Sequence, residues 1–154
     1  MLPALKHACS NFHRAYAAFT RSLCCLAPAV DAGLRVYVSW VFLNSGLVKI
    51  QSWSTTLMLF ENEYAVPLLP FELAAYLGTA AELALPVLLI LGLFGQFAAL
   101  ALFLFNIVAV TSYPDISEVG RQHHLYWGML LAWLAVHGPG RLSADTWLFR
   151  QRMD

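Results

Sequence analysis

The side chains best equipped for chemistry in this 154-residue chain are few, and they stand in apolar surroundings: Lys49, Glu82, Asn106, the adjacent His123 and His124, and Tyr126. Lys49 ends the run Gly46-Leu47-Val48-Lys49, and Glu82 lies in Gly78-Thr79-Ala80-Ala81-Glu82-Leu83-Ala84-Leu85. A charged side chain at mid-membrane costs about 2.5–3.5 kcal/mol on insertion scales, so each needs a partner or a task. A carboxylate and an ammonium in two such segments suit either a structural ion pair or a site that passes a proton or binds a polar head group such as a quinone. The candidate catalytic residues are therefore Glu82, Lys49 and His124, the last because an imidazole titrates near neutral pH. His123, Asn106 and Tyr126 are the candidate cofactor contacts. Asn44 and Asn106 also suit interhelical hydrogen bonding. Neighbouring histidines on a helix point about 100° apart, so His123 and His124 cannot form a one-face metal pair, and no metal site is expected.

These residues need elements to hold them, and the composition says which. The chain is 60% hydrophobic and 12% charged, against about 45–50% and about 25% for soluble domains. That excludes an ordinary soluble enzyme and a disordered chain. Nine Lys and Arg balance nine Asp and Glu, which argues against nucleic acid as a partner. Most of the apolar residues fall in four stretches, 33–53, 72–94, 95–112 and 122–138, which hold only Arg35, Lys49, Glu72 and Glu82 of the 18 formal charges. Their lengths match the roughly 17–25 helical residues that cross a bilayer. The sequence thus predicts an all-α, polytopic membrane protein: one domain, 33–147, built as an antiparallel bundle of four transmembrane helices with short links, followed by a tail, 148–154. Placed by depth, Lys49, Glu82, Asn106, His124 and Tyr126 fall in the outer half of such a bundle and could share one pocket.

Residues 1–30 form no signal peptide, because Lys6, His7, Ser10, Asn11, His13, Arg14 and Arg21 break every apolar run. Leu5, Cys9, Phe12, Tyr16, Phe19, Leu23 and Leu26 instead recur at spacings of three and four, the pattern of an amphipathic helix lying in the cytoplasmic interface. Lys6, Arg14, Arg21 and Arg35 stand before or just inside the first span, and Arg141, Arg150 and Arg152 follow the fourth. The segment between spans one and two carries Glu61 and Glu63 without Lys or Arg. Both termini are expected in the cytoplasm, with Arg35 snorkelling to phosphate at the inner edge. Cys9, Cys24 and Cys25 fall on that reducing side and suggest neither a disulfide nor a zinc site. Small residues such as Ala98, Ala99 and Ala101 offer a face for a homo-oligomer or for packing within one bundle.

Arg35-Val36-Tyr37-Val38 leading into Asn44-Ser45-Gly46-Leu47-Val48-Lys49, the Glu82 segment from Leu77 to Pro86, and Gly138-Pro139-Gly140-Arg141-Leu142-Ser143-Ala144-Asp145 stand in order along the chain. Together they resemble the signature of the DoxX family of small four-helix membrane proteins, over about residues 33–147. Arg35, Gly46, Gly78, Gly138, Gly140, Ser143 and Asp145 are the structural positions that the resemblance marks. Physically, Gly46 and Gly78 permit close helix approach, Gly138 and Gly140 stop a helix, and Ser143 can cap a short turn. The chain departs from the pattern at Gly95-Gln96, a turn that often carries a basic residue in such proteins. The resemblance implies a bacterial inner-membrane protein, an accessory subunit of a redox or sulfur-metabolism complex with a protein partner and a quinone or proton site. The competing reading is a non-enzymatic scaffold or transport accessory, for example beside the biosynthesis of copper-binding modified peptides.

Overall fold

The computed structural model describes residues 2–138, 140 and 142–150, with side chains from residue 13 onward apart from 15, 149 and 150. Leu5, Cys9 and Phe12 of the apolar stripe, and Pro139, Arg141 and Arg152, fall outside the described side chains or residues. Every element among the described residues is a helix: α1 (Leu2–Gln51), α2 (Trp53–Asn62), α3 (Phe71–Leu91), α4 (Gly95–Thr111), α5 (Glu118–His137) and α6 (Ala144–Arg150).

The N-terminal segment is helical, as expected, but it is not a separate element. It runs without a break into the first apolar stretch, making one helix of 50 residues, about 75 Å at 1.5 Å per residue. Pro28 lies inside it without interrupting the helix.

The sequence also hid α2, inside the segment expected to be a loop. Trp53, Leu57, Phe60 and Tyr64 recur at spacings of four, three and four, which is the signal that could have found it. Phe60 is buried with Ala74 and Ala75, and Trp53, Leu57, Tyr64 and Val66 pack around them. Thr56 ties α2 back to α1 by donating to the Lys49 carbonyl at 2.9 Å.

Helix α1 packs on α3, α3 on α4, α4 on α5, and α5 back on α1. Their shared core comprises Val38 and Phe42, Leu89, Ala98, Ala99 and Leu102, and Leu131 and Leu134. Ala98 and Ala99 are thus internal, and of the two uses expected for their small-residue face the structure shows packing within one bundle. The turn between α3 and α4 is short because Gly92 adopts φ +66°. Its N–H bonds Leu89 O while Leu93 N–H reaches Leu88 O, closing the helix end.

Outside this core the surface stays apolar. Phe97, Leu104, Leu125, Met129 and Trp133 are all exposed, a distribution that calls for apolar surroundings. Among the described residues, two helical segments are long and apolar enough to cross a bilayer, Tyr16–Gln51 and Phe71–Leu91, and Gly95–Thr111 is a shorter apolar helix. α5 has 20 residues, but its first two turns carry Glu118, Arg121, His123 and His124, which lowers its mean hydropathy.

Candidate functional site

Glu82 and Lys49 meet near Gly46, where α1 and α3 approach closely. A Cβ at Gly46 would stand 2.9 Å from Leu83 Cδ2 and 3.0 Å from Glu82 Cβ, so only glycine lets the helices touch at this level. Lys49, in the last turn of α1, then donates to Glu82 Oε1 at 2.7 Å and Oε2 at 2.5 Å, and to Ser45 Oγ at 3.0 Å. Ser45 in turn donates to Glu82 Oε1 at 3.1 Å. All three ammonium protons have acceptors, and the carboxylate, in a residue 5% exposed, is held by two donors. A buried pair needs such extra hydrogen bonds to offset its desolvation.

The pair lines one end of a cavity of about 290 Å³. Phe60 of α2 and Tyr64, Val66 and Leu69 of the following loop also line it, with Gly78 and Ala81 of α3 and Phe105 and Val108 of α4. The ring of Phe60 packs on Gly78, where a Cβ would stand in ordinary contact with its Cζ at 3.4 Å. Ser112, at the end of α4, lines the same cavity. The residue is 1% exposed, and its hydroxyl has no hydrogen-bond partner. The loop is fastened across the end of α4 by Ala65 N–H to Ser112 O at 2.7 Å and by Tyr113 Oη donating to Glu63 at 3.2 Å. The Tyr64 phenol is pushed above its ordinary value by burial first and then by the Glu82 charge.

The other candidates do not join this site. Asn106 is buried between α4 and α5, where Nδ2 donates to His124 O at 2.9 Å and Oδ1 meets His124 Nδ1 at 2.8 Å. An amide oxygen only accepts, so Nδ1 carries the proton and Nε2 keeps the free position. Gly128 makes room for this bridge, because a Cβ there would stand 3.2 Å from Asn106 Nδ2. Asn106 and His124 line a second, more open hollow with Phe103, Arg121 and Met129. His123 stacks on Trp127 with ring centroids 5.6 Å apart, and Tyr126 is exposed. The single outer pocket expected from depth is thus two, because depth along a helix does not say which way a side chain turns. Among the described residues, no three His, Cys, Asp or Glu side chains gather into a metal-binding group.

Arg35, Gly138, Gly140, Ser143 and Asp145 gather at the opposite end, whereas Gly46 and Gly78 stand at the Lys49–Glu82 cavity. Arg35 does not snorkel: it is 2% exposed and donates through Nη2 to Leu142 O. The segment after α5 folds against the middle of α1, beside Asp31 and Arg35, and supplies that carbonyl. Gly138 and Gly140 take φ of +89° and +72°, conformations that favour glycine. Ser143 Oγ accepts from Thr146 N–H at 3.2 Å and starts α6. Asp145 accepts from Phe94 N–H and Gly95 N–H, each at 2.9 Å, while its own N–H bonds Gly92 O. This carboxylate satisfies the open donors at the start of α4 and locks the α3–α4 turn to α6.

Comparison with curated proteins and with solved structures returns no match. The family model DoxX, however, matches residues 30–115, a stretch that contains Arg35, Gly46, Lys49, Gly78, Glu82 and Asn106 and stops before His124 and the Gly138–Asp145 run. It covers more than half of the chain, which therefore belongs to the DoxX family of membrane proteins.

Proposed function

We propose that this chain is a four-span inner-membrane protein, antiparallel with both termini in the cytoplasm, serving as an accessory subunit in a membrane redox or sulfur-metabolism system. Its working centre, on this reading, is the Lys49–Glu82 pair and the cavity beside it. The carrying observation is the buried ion pair opening on an apolar cavity that also holds an unpartnered hydroxyl, Ser112.

The cavity suits a quinone ring. Its volume of about 290 Å³ stands at the lower end of the roughly 300–1,000 Å³ of small-molecule sites, enough for a ring but not for an isoprenoid tail. The Ser112 hydroxyl offers a donor to a ring oxygen, and Phe60, Val66 and Leu69 give the ring apolar walls. A quinone would supply electron-carrying chemistry. The chain supplies Glu82, a carboxylate able to hold a proton, and Lys49, which sets its charge balance.

The test uses the full chain in nanodiscs with decylubiquinone as probe, read by quenching of tryptophan fluorescence. Saturable quenching by the wild type that is lost in Glu82→Gln and weakened in Ser112→Ala supports the reading. Equal quenching in all three refutes it.

A further inference from the structure

Helix α1 shows its core only one side. The buried residues of its second half are Arg35, Val38, Ser39, Phe42 and Gly46. On the opposite side stand Tyr16, Phe19, Leu23, Leu26, Val30, Gly33, Tyr37, Trp40, Asn44 and Leu47, at alternating spacings of three and four over 32 residues. Every one of these is exposed; Phe19, Leu26 and Trp40 are at 60%, 58% and 60%. A strict seven-residue repeat of this kind is the seam of a left-handed coiled coil, with Tyr16, Leu23, Val30, Tyr37 and Asn44 at a and Phe19, Leu26, Gly33, Trp40 and Leu47 at d.

The rest of the helix agrees with that register. Between residues 14 and 49 the formal charges are Arg14, Arg21, Asp31, Arg35 and Lys49. The four cations all occupy f, the position farthest from the seam, and Asp31 occupies b. Positions e and g from Ala15 to Val48 hold only Ala, Ser, Thr, Leu and Val, so no like charges would face each other across a pair. Pro28 falls at f, where its missing N–H faces away from a partner. Gly33 permits close approach at the point where the helix leaves the core.

Asn44 identifies the occupant. Its amide sits on this outer face, within the first apolar stretch, exposed and without a hydrogen bond. A polar group in hydrocarbon seeks an interhelical partner. An amide both donates and accepts, so a second Asn44 at the same a position satisfies it, and a lone asparagine at a is a known device for fixing register. Two copies inserted with the same topology present α1 in parallel, which places a against a and d against d. We propose that α1 is a dimerisation helix, and that the partner on its outer face is a second copy of this chain along Tyr16–Leu47. The proposal rests on the reading that α1 spans the bilayer.

The experiment is a disulfide scan of the full chain in native membranes, with Cys9, Cys24 and Cys25 replaced by serine and two differently tagged copies coexpressed. Leu23→Cys and Leu26→Cys should cross-link the two tags on mild oxidation, whereas Arg21→Cys and Thr20→Cys should not. Asn44→Ala should weaken the detergent-solubilised dimer by roughly 3- to 20-fold in its dissociation constant, the range measured for interhelical hydrogen bonds in membranes. Asn44→Gln, which keeps an amide, should lose less. Seam cysteines that cross-link no more than Arg21→Cys, or that capture only a different protein, overturn the proposal. Carbonate extraction separates the two readings: a chain that stays embedded without seam cross-links refutes the dimer alone, and a chain that is extracted refutes the span and the dimer together.

Discussion

Breaking the Lys49–Glu82 pair one side at a time should cost far more than removing it whole. Glu82→Gln keeps the shape of the side chain and removes its charge, leaving the Lys49 ammonium with an amide where it had two carboxylate contacts at 2.5 and 2.7 Å. An uncompensated buried charge costs about 3–5 kcal/mol. The Lys49 side chain is 16% exposed, so it retains some access to the cavity, which places the cost near the lower figure. For a chain of this size about 3 kcal/mol corresponds to a fall in Tm of roughly 6–12 °C. Lys49→Met strands the carboxylate instead and should cost a similar amount. The double variant Lys49→Met/Glu82→Gln has no orphan charge, and uncharged replacements of buried pairs range from neutral to stabilising. It should therefore melt above either single variant, a departure from additivity of about 3 kcal/mol or more. The assay is thermal unfolding followed by circular dichroism, with all four proteins in one detergent at one pH. Single variants that each lose under about 1 kcal/mol, the range of exposed pairs, or a double variant equal to the sum of the two, would refute the assignment of a buried, mutually dependent pair.

Three further outcomes follow from contacts elsewhere. Asp145→Ala removes both acceptors from the start of α4 and should cost about 0.5–2 kcal/mol, with Asp145→Asn losing less; thermal melts and proteolysis at the α3–α4 turn report it. Gly46→Ala puts a methyl 2.9 Å from Leu83 Cδ2 and should destabilise by about 1–3 kcal/mol through overpacking, and it should weaken probe binding at the Lys49–Glu82 cavity by separating α1 from α3. The Tyr113 phenol is held above its ordinary value, first by its hydrogen bond to Glu63 and then by that carboxylate's charge. Because the neutral phenol is the favoured form in the fold, this contribution is present below the ordinary phenol range and disappears as pH rises through the folded value. Glu63→Gln should therefore lower the tyrosinate absorbance midpoint assigned by difference against Tyr113→Phe, and an unchanged midpoint contradicts the contact.

The helices of the core were legible in the sequence because runs of apolar residues longer than a bilayer is thick leave little choice of structure. The Lys49–Glu82 partnership was legible too, because opposite charges in such runs have few other ways to be tolerated. What was not legible depended on rotation and on chain direction after a helix ends. Asn106 was expected to share a pocket with Glu82, yet α4 turns it toward α5 and His124, while Phe105 and Val108 face the cavity. Arg35 was expected to reach outward because it stands at the inner edge of its apolar stretch. The Leu142 carbonyl that it meets is supplied by a segment 107 residues away. α2 was missed because its apolar stripe is short and lies between Ser52 and the acidic Glu61 and Glu63, which read as a loop.

The two cations that α1 sends inward explain how one helix can serve a site and an interface at once. Arg35 and Lys49 are 14 residues apart, about 21 Å along the axis, and both stand at f on the face turned to the core. One is bound to the Leu142 carbonyl near the α3–α4 turn and the other to Glu82 where α1 ends. Together they fix the rotation and the depth of α1: turning the helix by one residue, about 100°, would break both anchors and drive Tyr37 or Trp40 into the core. The same anchors hold the seven-residue stripe outward along its length. Thus the Lys49–Glu82 pair has a structural consequence whatever it binds, and loss of fold in a single variant cannot by itself identify a site. The Ser112 hydroxyl can, because it lines the cavity with no hydrogen bond to lose. Ser112→Ala should leave Tm unchanged, so any loss of probe binding in that variant belongs to the cavity and not to the anchors.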